Sequence, residues 1–162
     1  MKYVAVATKR GYMTHPPLYL DRKQLTLFII LGVAVWFMAA IVLRVLGPLG
    51  IYDGGQRVLV YLLIIPGTMP VVWIARKLGK TSPGQLFTGF SVGTGSATLC
   101  DGVALAWFPS LYGPTAELHA EAGGTILWGA GVGLFLAYVV DRRSRVRVAR
   151  PPVPASRRFS EQ

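Results

Sequence analysis

Within residues 86–108, Ser91, Thr94, Thr98 and Asp101 stand 3, 4 and 3 positions apart in an otherwise apolar run. On a helix advancing 100° per residue, that spacing gathers them on one stripe. Three hydroxyls and one carboxyl in a row could bind a cation or pass a proton. An ionisable side chain inside an apolar helix marks a functional site by default, because it costs ~2.5–3.5 kcal/mol at the centre of a bilayer. Asp101 lies off-centre, about 10 Å along the axis from Phe108 at 1.5 Å per residue, so its cost is lower but it still needs a partner. A plainer reading stays open beside this one. Hydroxyls can bond the carbonyls of their own helix, and a solitary Asp can act as a buried clasp that fixes helix register. The apolar stretches hold no second carboxylate with which to build a relay.

The partners expected for Asp101 are Arg44 and Arg57, the two basic residues that stand apart from the others. Arg57, Tyr61 and Thr68 share one helical face by spacings of 4 and 7. The expected site is a cluster of Asp101, Tyr61, Arg57 and Arg44, in which the arginines supply the countercharge.

Other chemistry is sparse. "ELHAE" brings Glu117, His119 and Glu121 together, but one His and two acids read better as the start of a solvated helix capped by Thr115. Cys100 is the only cysteine, which excludes an intrachain disulfide, and it reads as a packed, inert thiol. Pro66 and Pro70 each remove an amide donor and predict a kink; a broken helix with ion-binding carbonyls is the alternative. There is no Ser-His-Asp set, phosphate loop, dinucleotide fingerprint or haem motif. Neither an enzyme nor a cofactor or metal is expected.

The elements that must position these residues are long and apolar. The chain is 52% hydrophobic and 15% charged, against about 25% charged in soluble domains. A span needs about 20 apolar residues, and four stretches qualify: residues 25–46, 58–75, 86–108 and 123–140. Strong turn signals separate them. Fifteen of the seventeen Lys and Arg fall in residues 1–24, the second connection or the tail from 141 to 162, which alternation of the spans puts on one side. The positive-inside rule makes that side cytoplasmic. The predicted fold is therefore an all-α, four-helix integral membrane bundle with both termini inside. It comprises a cytoplasmic segment 1–24, a membrane domain 25–140, and a basic, Pro-rich, disordered tail 141–162. The net charge of +10 flanks apolar blocks, which points to the bilayer and its anionic headgroups rather than to nucleic acid. Trp107, Phe108 and Tyr112 are expected in an aromatic belt at the outer interface.

Small residues set the expected packing. Gly89, Gly93 and Ala97, on the stripe shared with Cys100 and Ala104, match Gly129, Gly133 and Ala137 on the fourth span. Such stripes let helix backbones approach closely, so spans three and four are predicted to pack along them, with a homodimer seam as the alternative. Val92, Leu99 and Val103 form the lipid face.

"LCDGVALAWFPSLYG" (99–113) and "GTILWGAGVGLFLAY" (124–138) resemble a family of small four-span bacterial membrane proteins to which no activity is assigned. The shared features are an Asp late in span three, Phe-Pro at its end, and Leu-Trp early in span four. The family often has Asn after Phe-Pro, where this chain has Ser110. The resemblance implies an architecture, with Asp101 and Phe108-Pro109 as features of the group. The expected location is the bacterial cytoplasmic (inner) membrane. The expected role is structural or accessory, as a homodimer or as part of a larger assembly. The alternative is a small, dimeric transporter or channel using Asp101 and the polar stripe.

Overall fold

The structure is a computed structural model that describes residues 19–149. All regular structure among these residues is helical. Four long helices, α1 (Arg22–Leu46), α2 (Gly54–Gly79), α3 (Gln85–Trp107) and α4 (Ala116–Ala149), are joined by short connections. Two of the connections carry 3₁₀ turns, Gly47–Leu49 and Pro109–Leu111.

Helix boundaries follow local chemistry. Gln24 accepts a hydrogen bond from the Asp21 backbone amide at the start of α1 and donates to the Gly79 carbonyl at the end of α2, which ties the two ends together. Gly84 precedes α3 at φ 106°, a conformation that a side chain would oppose. α2 runs unbroken through Pro66 and Pro70, both on its exposed face, so it is not a split helix with an ion site. The helices also outrun their predicted bounds at several ends, most of all α4. That helix starts before residue 123 and continues past 140, so residues 141–149 are helical rather than a disordered tail. Residues 150–162 and 1–18 lie outside the described residues.

Three of the four helices, α1, α2 and α4, are long and apolar enough to cross a membrane. α3 is long enough at 23 residues, but its hydroxyls, glycines and Asp101 lower its hydropathy. Its position accounts for this composition: α3 packs against all three of the others, and most of its residues are at least partly covered. A helix that faces other helices can be small and polar where a lipid-facing one cannot. Large apolar side chains such as Ile30, Phe37, Leu62, Trp73 and Phe135 stand exposed on α1, α2 and α4, and on α3 the predicted lipid face reappears at Leu99 and Val103.

The small stripe of α3 faces α1, not α4 as its match with Gly129, Gly133 and Ala137 suggested. A Cβ on Gly32 would fall 2.1 Å from the Gly93 carbonyl oxygen, and one on Gly89 would fall 2.2 Å from the Phe28 ring. Gly129 turns toward Ile64 of α2, while Gly133 lies against the Phe90 ring of α3 and, a little farther off, Thr68 of α2. Several helices are rich in small residues, so composition alone could not choose the pairing.

Apolar packing concentrates at the two ends of the bundle. Phe28, Val72, Ala75, Leu86 and Ala137 form one cluster. Ala40, Leu43, Tyr52, Ala104, Tyr112 and Ala122 form the other. α1 and α2 make few contacts with each other, while α1 lies along α3 and α2 along α4.

Candidate functional site

Asp101 is buried, with 8% of its surface exposed, one and a half turns before α3 ends. After Trp107 the chain leaves the helix at Phe108, makes the turn Pro109–Leu111, and folds back so that Tyr112 enters the bundle. The Tyr112 hydroxyl donates to Asp101 Oδ1 at 2.5 Å and accepts from Trp36 Nε1 of α1 at 3.1 Å. The result is a relay from Trp36 through Tyr112 to Asp101 that joins α1, α3 and the α3–α4 connection. Tyr112 has no exposed surface, so it is not part of the aromatic belt predicted for it; Trp107 and Phe108 are exposed. Burial first, and then the hydrogen bond to Asp101, raise the Tyr112 hydroxyl well above the usual tyrosine range, which keeps it a donor.

The arginines are engaged elsewhere. Arg57 pairs with Glu121 at 2.5 Å and donates to the Tyr52 carbonyl at 2.8 Å. Arg44 donates to the Ser110 carbonyl at 2.5 Å. Tyr61 stacks on Trp128, whose Nε1 donates to the Tyr61 carbonyl at 3.0 Å. The expected cluster of Asp101, Tyr61, Arg57 and Arg44 is therefore not assembled, and no ion pair reaches Asp101 among the described residues. The physical reason is reach and solvation. Guanidiniums near helix ends find acceptors at the polar boundary, and a neutral phenol is easier to bury beside a carboxyl than a charge.

Near the Arg57–Glu121 pair, the buried Tyr52 hydroxyl lies beside Thr125, whose own hydroxyl donates to the Glu121 carbonyl. Burial, with smaller contributions from Glu121 and Tyr61, raises the Tyr52 hydroxyl above its ordinary range. His119 bonds the Gly113 carbonyl at 2.8 Å, and the Thr115 hydroxyl accepts the Leu118 amide at 3.4 Å, as a helix cap does.

The polar stripe of α3 separates into two parts. Thr94, Thr98 and Asp101 line a cavity of about 330 Å³ inside the bundle; Ser91 does not and bonds the Phe87 carbonyl. Thr68 of α2 and Thr125 of α4 also border this space, but the rest of the lining is apolar. The hydroxyls of Thr68, Thr98 and Thr125 donate to carbonyls of their own helices. Cys100 points away from α4 into a shallow groove that Trp36 and Phe37 of α1 also border.

A second buried carboxylate, missed in the sequence reading, closes the opposite end. Asp141 is 2% exposed, accepts the Gly84 amide at 2.8 Å and pairs with Arg145 at 3.0 Å. Arg145 also donates to the Gly84 carbonyl at 3.2 Å. Asp141 thus caps the start of α3 from α4, where the helix dipole favours an anion. Its signal was an acid one helical turn before a base, hidden within a basic run. Trp36 also had a signal: a Trp inside a span, away from either interface, needs a partner for its N–H.

Comparison with family models, with curated proteins and with solved structures finds no match to this chain.

Proposed function

We propose that the chain is a four-span integral membrane protein with both ends in the bacterial cytoplasm, serving as a structural or accessory subunit of a membrane assembly. The observation that carries the role is that Asp101 accepts from the Tyr112 hydroxyl, which in turn accepts from Trp36. A carboxyl held by a buried phenol, without a polar route to water, suits a clasp that locks α1, α3 and the following connection. α3 spans with the others on this reading: it packs parallel to α1 and antiparallel to α4, and at 23 residues it reaches about 35 Å, beyond the ~30 Å hydrocarbon thickness. The distribution of Lys and Arg supports the orientation, and the exposed apolar faces of α1, α2 and α4 support the bilayer as solvent.

The transporter reading is favoured only by the presence of Thr94, Thr98 and Asp101 on the central cavity. Most of the hydroxyls there are bonded to backbone, which weakens it. Purification of the tagged chain in mild detergent after crosslinking tests the role, with a fixed partner or a defined homo-oligomer as the expected result. Flux of protons or cations into vesicles holding only this chain, abolished by Asp101→Asn, refutes it. Topology is read by an impermeant maleimide on intact cells, using Lys77→Cys or Pro114→Cys in a Cys100→Ala background. Position 114 should label and 77 only after permeabilisation; labelling of both from one side removes the third span.

A further inference from the structure

The cavity beside Asp101 has a side opening. Its floor is made by buried Phe28 and Ala75, and at its other end stand Leu43 and Asp101. Among its lining residues, Ala39 and Val42 of α1 and Gly67 of α2 are exposed. These residues mark a mouth between α1 and α2, which make few contacts with each other. Both flanks of the mouth carry exposed apolar side chains, with Met38 and Ile41 on α1 and Leu63 on α2.

We infer that this cavity is a binding site for one hydrocarbon chain of a membrane lipid, which enters sideways between α1 and α2. The inference rests on the membrane reading above. Water is a poor occupant, since each buried water needs two to four polar partners and the lining is apolar apart from Asp101 and a few hydroxyls, of which those of Thr68, Thr98 and Thr125 donate to backbone and keep only acceptor lone pairs. An empty space forfeits dispersion contacts along its whole lining. At about 330 Å³ the cavity is at least twice the ~150 Å³ of an apolar cavity that stays dry and takes up benzene. It also falls within the ~300–1,000 Å³ range of small-molecule pockets. Its opening faces the part of the bilayer where acyl chains are the solvent. The polar side chains Asp101 and Thr125 lie toward one end, so a chain fits with its tail toward Phe28 and its polar side near Asp101.

Gly67 provides a plug that does not strain the fold, because a Cβ there meets nothing within 4 Å. Gly131 on α4 has the same open surroundings but does not line the cavity, so it serves as the control. Trp36 lines the cavity and is the reporter. The full chain carrying Trp73→Phe, Trp107→Phe and Trp128→Phe is reconstituted in phosphatidylcholine brominated on its acyl chains, and Trp36 fluorescence is measured. Trp36 also borders the shallow groove beside Phe37, so part of its quenching survives any plug, and the reading is the difference between variants. The expected result is that Gly67→Phe relieves much of the quenching while Gly131→Phe relieves none. Equal quenching in the two variants, or relief by both, overturns the lipid-chain site. The unaltered chain separates this failure from failure of the membrane reading. Its Trp73, Trp107 and Trp128 are exposed, and if brominated lipid leaves them bright, the chain is not inserted at all.

Discussion

Removing the Tyr112 hydroxyl should destabilise the bundle by far more than one hydrogen bond, and removing Asp101 as well should restore most of the loss. In Tyr112→Phe the Asp101 carboxyl, only 8% exposed, loses the donor that sits 2.5 Å away, and the Trp36 N–H loses its acceptor at 3.1 Å. Leaving a buried polar group unmatched costs about 1–3 kcal/mol, with carboxyls at the upper end. The two orphans together give roughly 3 kcal/mol. Asp101→Leu leaves Tyr112 without its acceptor but still bonded to Trp36, a cost of about 1–2 kcal/mol. In the double variant only the Trp36 N–H is left unmatched, at about 1 kcal/mol. The coupling is therefore about 3–4 kcal/mol, a factor of roughly 150–900 in the folded-to-unfolded ratio. Equilibrium unfolding of the four proteins in mixed micelles, followed by circular dichroism, measures it. If the two single effects add to within about 0.5 kcal/mol, the clasp is not an energetic unit and the reasoning fails.

Gly32→Ala drives a Cβ to 2.1 Å from the Gly93 carbonyl, a backbone atom that cannot swing aside. It should cost about 1–3 kcal/mol in the same assay, whereas Gly131→Ala, with open space around it, should be neutral or gain up to about 1 kcal/mol of helix propensity. Asp141→Ala leaves the buried Gly84 amide without an acceptor and takes the carboxylate from Arg145, which keeps only the Gly84 carbonyl; a loss of about 2–3 kcal/mol is expected, with faster hydrogen exchange at the start of α3. The raised Tyr112 hydroxyl gives a pH dependence whose sign is fixed. A group whose folded pKa exceeds its unfolded value contributes stability that is complete below about pH 10 and is lost as pH rises further. Alkaline titration of the near-ultraviolet circular dichroism should therefore show a shallower loss above pH 10 in Tyr112→Phe than in the parent. An identical slope contradicts the burial of that phenol.

Composition alone determined that the chain folds into long apolar helices, because runs of about 20 residues without charge are read one segment at a time. The turn signals located the breaks, and of the stripe Ser91, Thr94, Thr98 and Asp101 given by helical spacing the last three line the cavity, while Leu99 and Val103 stand exposed. What the tertiary structure alone decided is which faces meet. Gly89 and Gly93 could have received any neighbour that presents a small residue, and the neighbour proved to be α1 through Phe28 and Gly32. The partner of Asp101 was equally out of reach. Charge suggested Arg57, yet a guanidinium at a helix end is better served by Glu121 at the polar boundary. The phenol of Tyr112 can be buried uncharged, and it reaches Asp101 only because Pro109–Leu111 turns the chain back into the bundle. Periodicity describes one helix at a time; pairing depends on the angle and depth at which helices cross, which no single segment encodes.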